Sequence, residues 1–135
     1  MMARQRITQE WWEHELDGFI PVISQLVLDE VAQGDSAAAE RRLASLAGFP
    51  ILTVNDDVVH LTRRLVRPGA LPIKAMADAA HIALCAVHRV PYLMTWNFRH
   101  IANAAIRRTL HRTCTGAGFD FPCICTPDQL MGGNR

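Results

Sequence analysis

The sequence predicts an α/β fold in which helices pack on a mostly parallel sheet. Short apolar segments typical of strands alternate with longer segments that carry a helical spacing of apolar residues, and cap and turn residues separate them. Half of the 135 residues are hydrophobic and 20% are charged, which is enough apolar material for one packed domain. We therefore expect a single domain over residues 1–135, with a flexible tail at 131–135.

The first part of the chain is expected to alternate helix and strand. Gly34 and Gly48 follow helical segments where a C-cap glycine is favoured, and Asp35 or Ser36 can cap the helix between them. Pro21 weakens the first strand because it donates no ladder hydrogen bond. The predicted elements are a helix at 8–16, a strand at 19–24, helices at 25–34 and 35–48, and a strand at 50–54.

The second part repeats this alternation. Asn55 is expected to cap a helix whose first turn holds Asp56 and Asp57, acids that interact favourably with the helix dipole. The next helix has little polar surface, so we expect it to be well buried. The strand "PYLMTW" is a continuous apolar run, as expected when both faces of a sheet are covered. The predicted elements are helices at 55–69 and 71–88, a strand at 91–96, a helix at 100–118 and a strand at 121–126.

Composition excludes several classes of protein. The formal net charge is +1, so nucleic-acid binding must come from local patches. No apolar run approaches the roughly 18 residues of a membrane helix, and no apolar segment follows the first basic residues as in a secretory signal. The four cysteines are few and unevenly spaced, unlike a disulfide scaffold, and Cys123 and Cys125 are too close for the usual zinc spacing. We expect buried thiols in a soluble cytoplasmic protein.

Three polar residues stand out on apolar elements. Glu30 interrupts the apolar face of "LVLDEV", Asp78 opens the run "ADAAHIAL", and Asn97 follows a buried strand. Each has a structural alternative: a solvated acid, an acid near a helix N-terminus, and a turn or N-cap residue. If these residues converge at one edge of the sheet, carboxylate and amide oxygens could hold Mg²⁺ or Mn²⁺. Such an ion activates water for attack on a phosphate.

A helix near the C-terminus is rich in basic residues. "AIRRTLHRTC" places Arg107, Arg108, His111 and Arg112 on one helix, with Arg99 nearby. These side chains predict either a surface that contacts the phosphates of RNA or an ordinary solvated helix face.

Three segments carry a resemblance to a known family. "VISQLVLDEVAQGD", "MADAAHIALCAVHRVPYLMTWNFRHIANA" and "PCICTPDQL" resemble PIN-domain proteins of the VapC toxin type, in the subgroup with the motif T-W-N-x-x-H-I-A-N. The resemblance covers nearly the whole chain. It implies a PIN-like three-layer α/β/α fold with a mostly parallel sheet. It also implies a Mg²⁺- or Mn²⁺-dependent ribonuclease, the toxin of a type II toxin–antitoxin pair, which hydrolyses RNA phosphodiesters, binds a cognate antitoxin and forms a homodimer.

The resemblance also assigns residues. Glu30, Asp78 and Asn97 match the catalytic and metal-binding positions. Thr95 matches the hydroxyl residue before the last of these, and Asn103 matches a motif residue without an assigned role; both are expected to support the site. The expected RNA-binding residues are Arg99, His100, Arg107, Arg108 and Arg112.

The chain departs from this family at its start. Family members begin with a strand that ends in an acid and lies at the centre of the sheet, and no such segment precedes "ARQRITQEWW". The resemblance therefore implies a PIN-like domain that lacks its first strand and first acid. The alternative to a ribonuclease is a truncated, catalytically inactive PIN remnant that only binds antitoxin, RNA or a second copy. A third interpretation is an α/β binding domain without a metal.

Overall fold

The computed structural model describes residues 2–14, 22–24, 26, 28–29, 32–33, 35–95, 99–101 and 103–130. Within these ranges the protein is a mixed α/β structure, mostly helical with short parallel strands, which confirms the coarse fold class. The helices are α1 (Met2–His14), α2 (Ser36–Leu46), α3 (Asp56–Leu65), α4 (Met76–Val87) and α5 (Ala104–Gly116). The strands are β1 (Ile23–Ser24), β2 (Ile51–Leu52), β3 (Tyr92–Met94) and β4 (Cys123–Cys125). Short 3-10 helices span Ile73–Ala75 and Pro127–Leu130.

The described strands form two separate parallel pairs. β1 pairs with β2, and β3 pairs with β4. In the second pair Tyr92 lies opposite Cys123 and Met94 opposite Cys125. The prediction of parallel strands is therefore confirmed, but within the described ranges these strands do not join into one sheet.

Two helices begin at the cap residues that the sequence predicts. The Asp35 carboxylate accepts a 3.0 Å hydrogen bond from the Ala38 amide at the start of α2. Asn55 Oδ1 accepts a 2.9 Å bond from the Val58 amide at the start of α3. These side chains satisfy amide groups that have no partner within the first turn of a helix, which explains why the helices begin there.

The core lies mainly between α3 and α4, which pack against each other. α3 buries Val58, Leu61, Thr62 and Leu65, a spacing that forms one apolar face. The Thr62 hydroxyl lies within this face and donates a 2.6 Å bond to the Val58 carbonyl, so its burial leaves no unpaired group. α4 buries every residue from Ile82 to Ala86, which confirms that it is a well-covered helix.

A tight turn joins α4 to β3. Arg89 adopts a left-handed conformation with φ of 59°. Its amide donates to the Ala86 carbonyl, and the Val90 amide donates a 2.8 Å bond to the Cys85 carbonyl. This bonding pattern is a Schellman motif, in which glycine is the usual left-handed residue. The turn leads into β3, which is in contact with α4.

The ends of the described chain also meet. α1 packs against the 3-10 helix Pro127–Leu130. At the start of that helix the Thr126 amide donates a 2.9 Å bond to Gln129 Oε1, which is one of the two bonds of a capping box, while the Thr126 hydroxyl donates to Asp128. Trp11 of α1 is buried, with 4% of its surface exposed. None of the helices in the described ranges combines the length and apolar character needed to span a bilayer.

Several predicted boundaries differ from the structure. The first helix begins at Met2 rather than Thr8, because "MARQRI" consists largely of good helix formers. The last helix begins at Ala104 rather than His100, because Asn103 caps it. Of the predicted helix at 25–34, Leu26, Leu28 and Asp29 are helical. The rest of that helix, except residues 32–33, lies outside the described residues, as do residues 19–21 of the first predicted strand.

Candidate functional site

Asp78 lies in the first turn of α4. The helix continues directly from the 3-10 helix Ile73–Ala75, and the flanking residues Ala75 and Ala79 are both buried in the core. The Asp78 side chain itself is half-buried, at the border between the core and solvent. A carboxylate at this position is favoured by the positive end of the helix dipole.

The turn at Arg89 connects α4 to β3, and the helix and the strand contact each other. Asp78 lies near the start of the helix, and Thr95 directly follows the strand. The Thr95 amide donates a 2.8 Å bond to the Cys125 carbonyl, which continues the β3–β4 ladder past Met94. Asn97 follows two positions later.

Glu30 and Asn97, the other two predicted metal ligands, lie outside the described residues. Within the described ranges, no three His, Cys, Asp or Glu side chains form a group that could hold a metal ion. The Asp78 carboxylate has the oxygen chemistry that Mg²⁺ and Mn²⁺ prefer. The described residues thus contribute one carboxylate to the predicted set, and a complete site requires Glu30 and Asn97 as well.

The segment that follows Asn97 is partly described. Residues 99–101 form a turn in which Arg99 is exposed, His100 is half-buried and Ile101 is buried. The Ile101 carbonyl accepts a 2.6 Å hydrogen bond from Arg107 Nε. Arg107, predicted to contact RNA, therefore also holds this turn against the first part of α5.

Asn103 has a clear structural role. Its Oδ1 accepts hydrogen bonds from the amides of Ala105 and Ile106, at 2.8 and 3.2 Å, and so caps α5. The motif residue without an assigned role is thus the N-cap of the helix that carries Arg107, Arg108 and Arg112. All three arginines are exposed.

The cysteines are all free thiols. Cys85, Cys114 and Cys125 are buried, as predicted, but the prediction is wrong for Cys123, which is exposed. Cys123 lies opposite Tyr92, whose side chain is 49% exposed. This end of the β3–β4 pair is uncovered, which explains why a cysteine in an apolar strand reaches solvent.

Two arginines outside the predicted RNA-binding set, Arg64 and Arg67, lie against α5. Arg67 Nη2 donates a 3.0 Å hydrogen bond to Thr113 Oγ1. A Cβ atom placed on Gly116 would lie 3.9 Å from Arg64 Nη2. Both arginines belong to the basic cluster "RRLVR", which is visible in the sequence. Its position beside α5 depends on how α3 packs against that helix, so the sequence alone does not reveal it.

Comparison with models of protein families, with curated proteins and with solved structures finds no match to this chain. The structure supports the class of a mixed α/β protein. The finer resemblance to VapC-type PIN domains rests on the sequence motifs.

Proposed function

We propose that this protein is a metal-dependent endoribonuclease of the PIN type and the toxin of a toxin–antitoxin pair. The main support is the motif string D-A-x-H…T-W-N itself: its Asp78 lies half-buried in the first turn of α4, and its Thr95 extends the ladder of β3, a strand that contacts α4. Open α/β folds commonly bind ligands at the carboxyl ends of their parallel strands, and Thr95 directly follows β3.

The proposed site uses three residues of this chain. Asp78 and Glu30 would hold Mg²⁺ or Mn²⁺ through carboxylate oxygens, and Asn97 would add an amide oxygen. When bound, the ion would supply a hydroxide nucleophile at neutral pH and stabilise negative charge on the phosphate. Thr95 is held in the ladder by its amide and would support Asn97, two residues further on.

The remaining predicted residues would bind the partners. Arg99, His100, Arg107, Arg108 and Arg112 would contact RNA phosphates near the site. The protein would act in the cytoplasm as a homodimer and would be held inactive by its cognate antitoxin.

The division of the described strands into two pairs favours one alternative. A PIN-like sheet would join such pairs through a central strand, and the strands in the described ranges do not join. This favours a catalytically inactive PIN remnant that acts by binding alone.

The experiment that separates the two functions is RNA cleavage by the purified chain, with Mn²⁺ or with EDTA. Asp78→Asn removes the proposed carboxylate ligand, and Asp120→Asn makes the same chemical change at an exposed position beyond α5. Thermal unfolding of each variant is measured in parallel, because an ion that binds only the native state raises its melting temperature.

The ribonuclease predicts cleavage that requires Mn²⁺, is lost in Asp78→Asn and is retained in Asp120→Asn. It also predicts that Mn²⁺ raises the melting temperature of the wild type but not that of Asp78→Asn. A folded wild type that neither cleaves RNA nor responds to Mn²⁺ would instead support the inactive remnant.

A further inference from the structure

The charge of this chain is unevenly distributed. Residues 58–119 contain eight arginines, one lysine and a single acid, Asp78, although the formal net charge of the whole chain is only +1. The rest of the chain is therefore net acidic. Such asymmetry is typical of proteins that bind polyanions, and the net charge conceals it.

Some of these arginines form a row along α5. Arg108, Arg112 and Gly116 are spaced at i, i+4 and i+8, so they lie one above another on the same side of the helix, about 6 Å apart along its axis. Gly116 has no side chain, and the Arg64 guanidinium from α3 lies beside it: a Cβ atom there would be 3.9 Å from Arg64 Nη2. Arg64 thus continues the row formed by Arg112 and Arg108.

Arg67 borders the same row. Its hydrogen bond to Thr113 holds its guanidinium against α5, one residue along the helix from Arg112. Arg107 is not part of this surface, because its Nε bonds the Ile101 carbonyl. We name the surface formed by Arg64, Arg67, Arg108 and Arg112 the arginine row; all four side chains are exposed.

Within the two helices, acids lie away from this surface. α5 contains no acidic residue, and the two acids of α3, Asp56 and Asp57, are in its first turn. Arg64 lies in the last turn of α3, and Arg67 follows that helix. The arginine row therefore gathers four exposed positive side chains from α3, from the segment that follows it and from α5.

We infer that the arginine row binds the phosphodiester backbone of single-stranded RNA. This inference rests on the proposed function and extends it, because it adds Arg64 and Arg67 to the predicted RNA contacts at Arg108 and Arg112. Guanidinium groups match phosphate geometry and stay charged at all physiological pH values. Binding would be largely independent of sequence and sensitive to salt, as for other phosphate contacts.

The test measures binding without cleavage. Fluorescence anisotropy of a labelled oligouridylate is recorded in EDTA, over a series of salt concentrations. The test variant is Arg64→Gln/Arg108→Gln/Arg112→Gln, which keeps the Arg67–Thr113 bond. The control is Arg6→Gln/Arg41→Gln/Arg89→Gln, which removes the same charge from exposed positions on α1, on α2 and in the turn after α4. Thermal unfolding confirms that each variant is folded.

We expect the test variant to bind RNA at least tenfold more weakly at low salt and the control to stay within about twofold of wild type. The slope of log affinity against log salt should fall by about 2 in the test variant, since each phosphate contact to a single strand contributes about 0.7. Equal weakening in both variants, no RNA binding by the wild type, or displacement of RNA by polyglutamate at equal charge would overturn the inference. The last result would indicate an acidic protein as the partner.

The outcome is independent of catalysis. Binding that requires the arginine row, in a chain that does not cleave RNA, would support this inference and reject the proposed ribonuclease. RNA cleavage by the wild type, together with unchanged RNA binding in the test variant, would support the proposed ribonuclease and reject the role of the arginine row.

Discussion

The Arg67 guanidinium donates a 3.0 Å hydrogen bond to Thr113 Oγ1, 46 positions away in the sequence. The same hydroxyl donates a 2.9 Å bond to the Thr109 carbonyl, so it is satisfied both as acceptor and as donor. Thr113 is buried and Arg67 is exposed. The pair therefore ties the chain after α3 to the buried face of α5.

We predict that this bond contributes about 1 kcal/mol to the free energy of unfolding. Thr113→Val and Arg67→Met should each destabilise the protein, and the double variant should cost less than their sum by about that amount. Urea unfolding of the four proteins measures this coupling. A matched cycle with Arg63→Met, an exposed neighbour on α3, should show no coupling to Thr113→Val. Equal coupling in both cycles would contradict a specific bond.

The left-handed turn at Arg89 predicts a stabilising substitution. A non-glycine residue at φ of 59° costs about 1–2 kcal/mol in backbone energy. Arg89→Gly removes this cost but adds disorder to the unfolded chain, so we expect a net gain of about 0.5–1 kcal/mol in the free energy of unfolding. Arg89→Ala, which keeps the Cβ atom, should change stability by less. Chemical denaturation distinguishes them, and a loss of stability in Arg89→Gly would show that the arginine side chain stabilises the turn.

Because Asn103 caps α5, we predict that two substitutions of this residue affect the stability of the protein differently. Asn103→Ala removes the acceptor for the Ala105 and Ile106 amides and should cost about 1 kcal/mol. Asn103→Asp retains a good N-cap acceptor and should restore most of this stability. The helical signal in circular dichroism and the urea midpoint are the measurements. If aspartate destabilises as much as alanine, the amide group of Asn103 has a role beyond the cap.

Buried thiols predict that the protein loses stability at alkaline pH. Burial raises the pKa of Cys85 from 9.0 to about 12. Between these values the unfolded chain has released the thiol proton while the folded chain retains it. The free energy of unfolding therefore falls as pH rises through this window, and is unaffected by Cys85 below pH 9.

The expected slope from Cys85 is about 1.4 kcal/mol per pH unit within this window. Urea unfolding at pH 8, 9.5 and 10.5 measures it. Cys85→Ala should be less stable at pH 8, because it leaves a small cavity, but its stability should fall less steeply with pH. Identical slopes in the two proteins would mean that Cys85 ionises as readily in the folded state as in the unfolded chain.

The sequence predicts local features of this fold more reliably than distant ones. The sequence predicts Asn55 as a cap, and offers Asp35 or Ser36 for the helix before it, because a cap is a bond between residues three positions apart. Gly48 is predicted to follow a helix as a C-cap glycine, and its φ is 89°. Arg89 makes the same kind of turn without a glycine, so the end of α4 carries no such signal in the sequence.

The arrangement of strands was harder to predict. Apolar runs indicate where strands form, but the pairing of β3 with β4 depends on how helices far apart in the sequence pack. For the same reason, the sequence identifies Asp78, Glu30 and Asn97 as candidate ligands, but their convergence at one edge depends on packing that the sequence does not reveal. The position of Arg64 beside Gly116 likewise depends on the packing of α3 against α5.

The contact between α1 and the 3-10 helix Pro127–Leu130 has a consequence for synthesis. Among the described elements, α1 leaves the ribosome before the others, together with Trp11, which is buried in the finished fold. Its partner helix emerges after every other described element. α3 and α4 are neighbours in the chain and can pack as soon as both have left the exit tunnel. The amino-terminal helix can dock only once translation has passed Leu130, so it is among the last parts of the described chain to reach its native place.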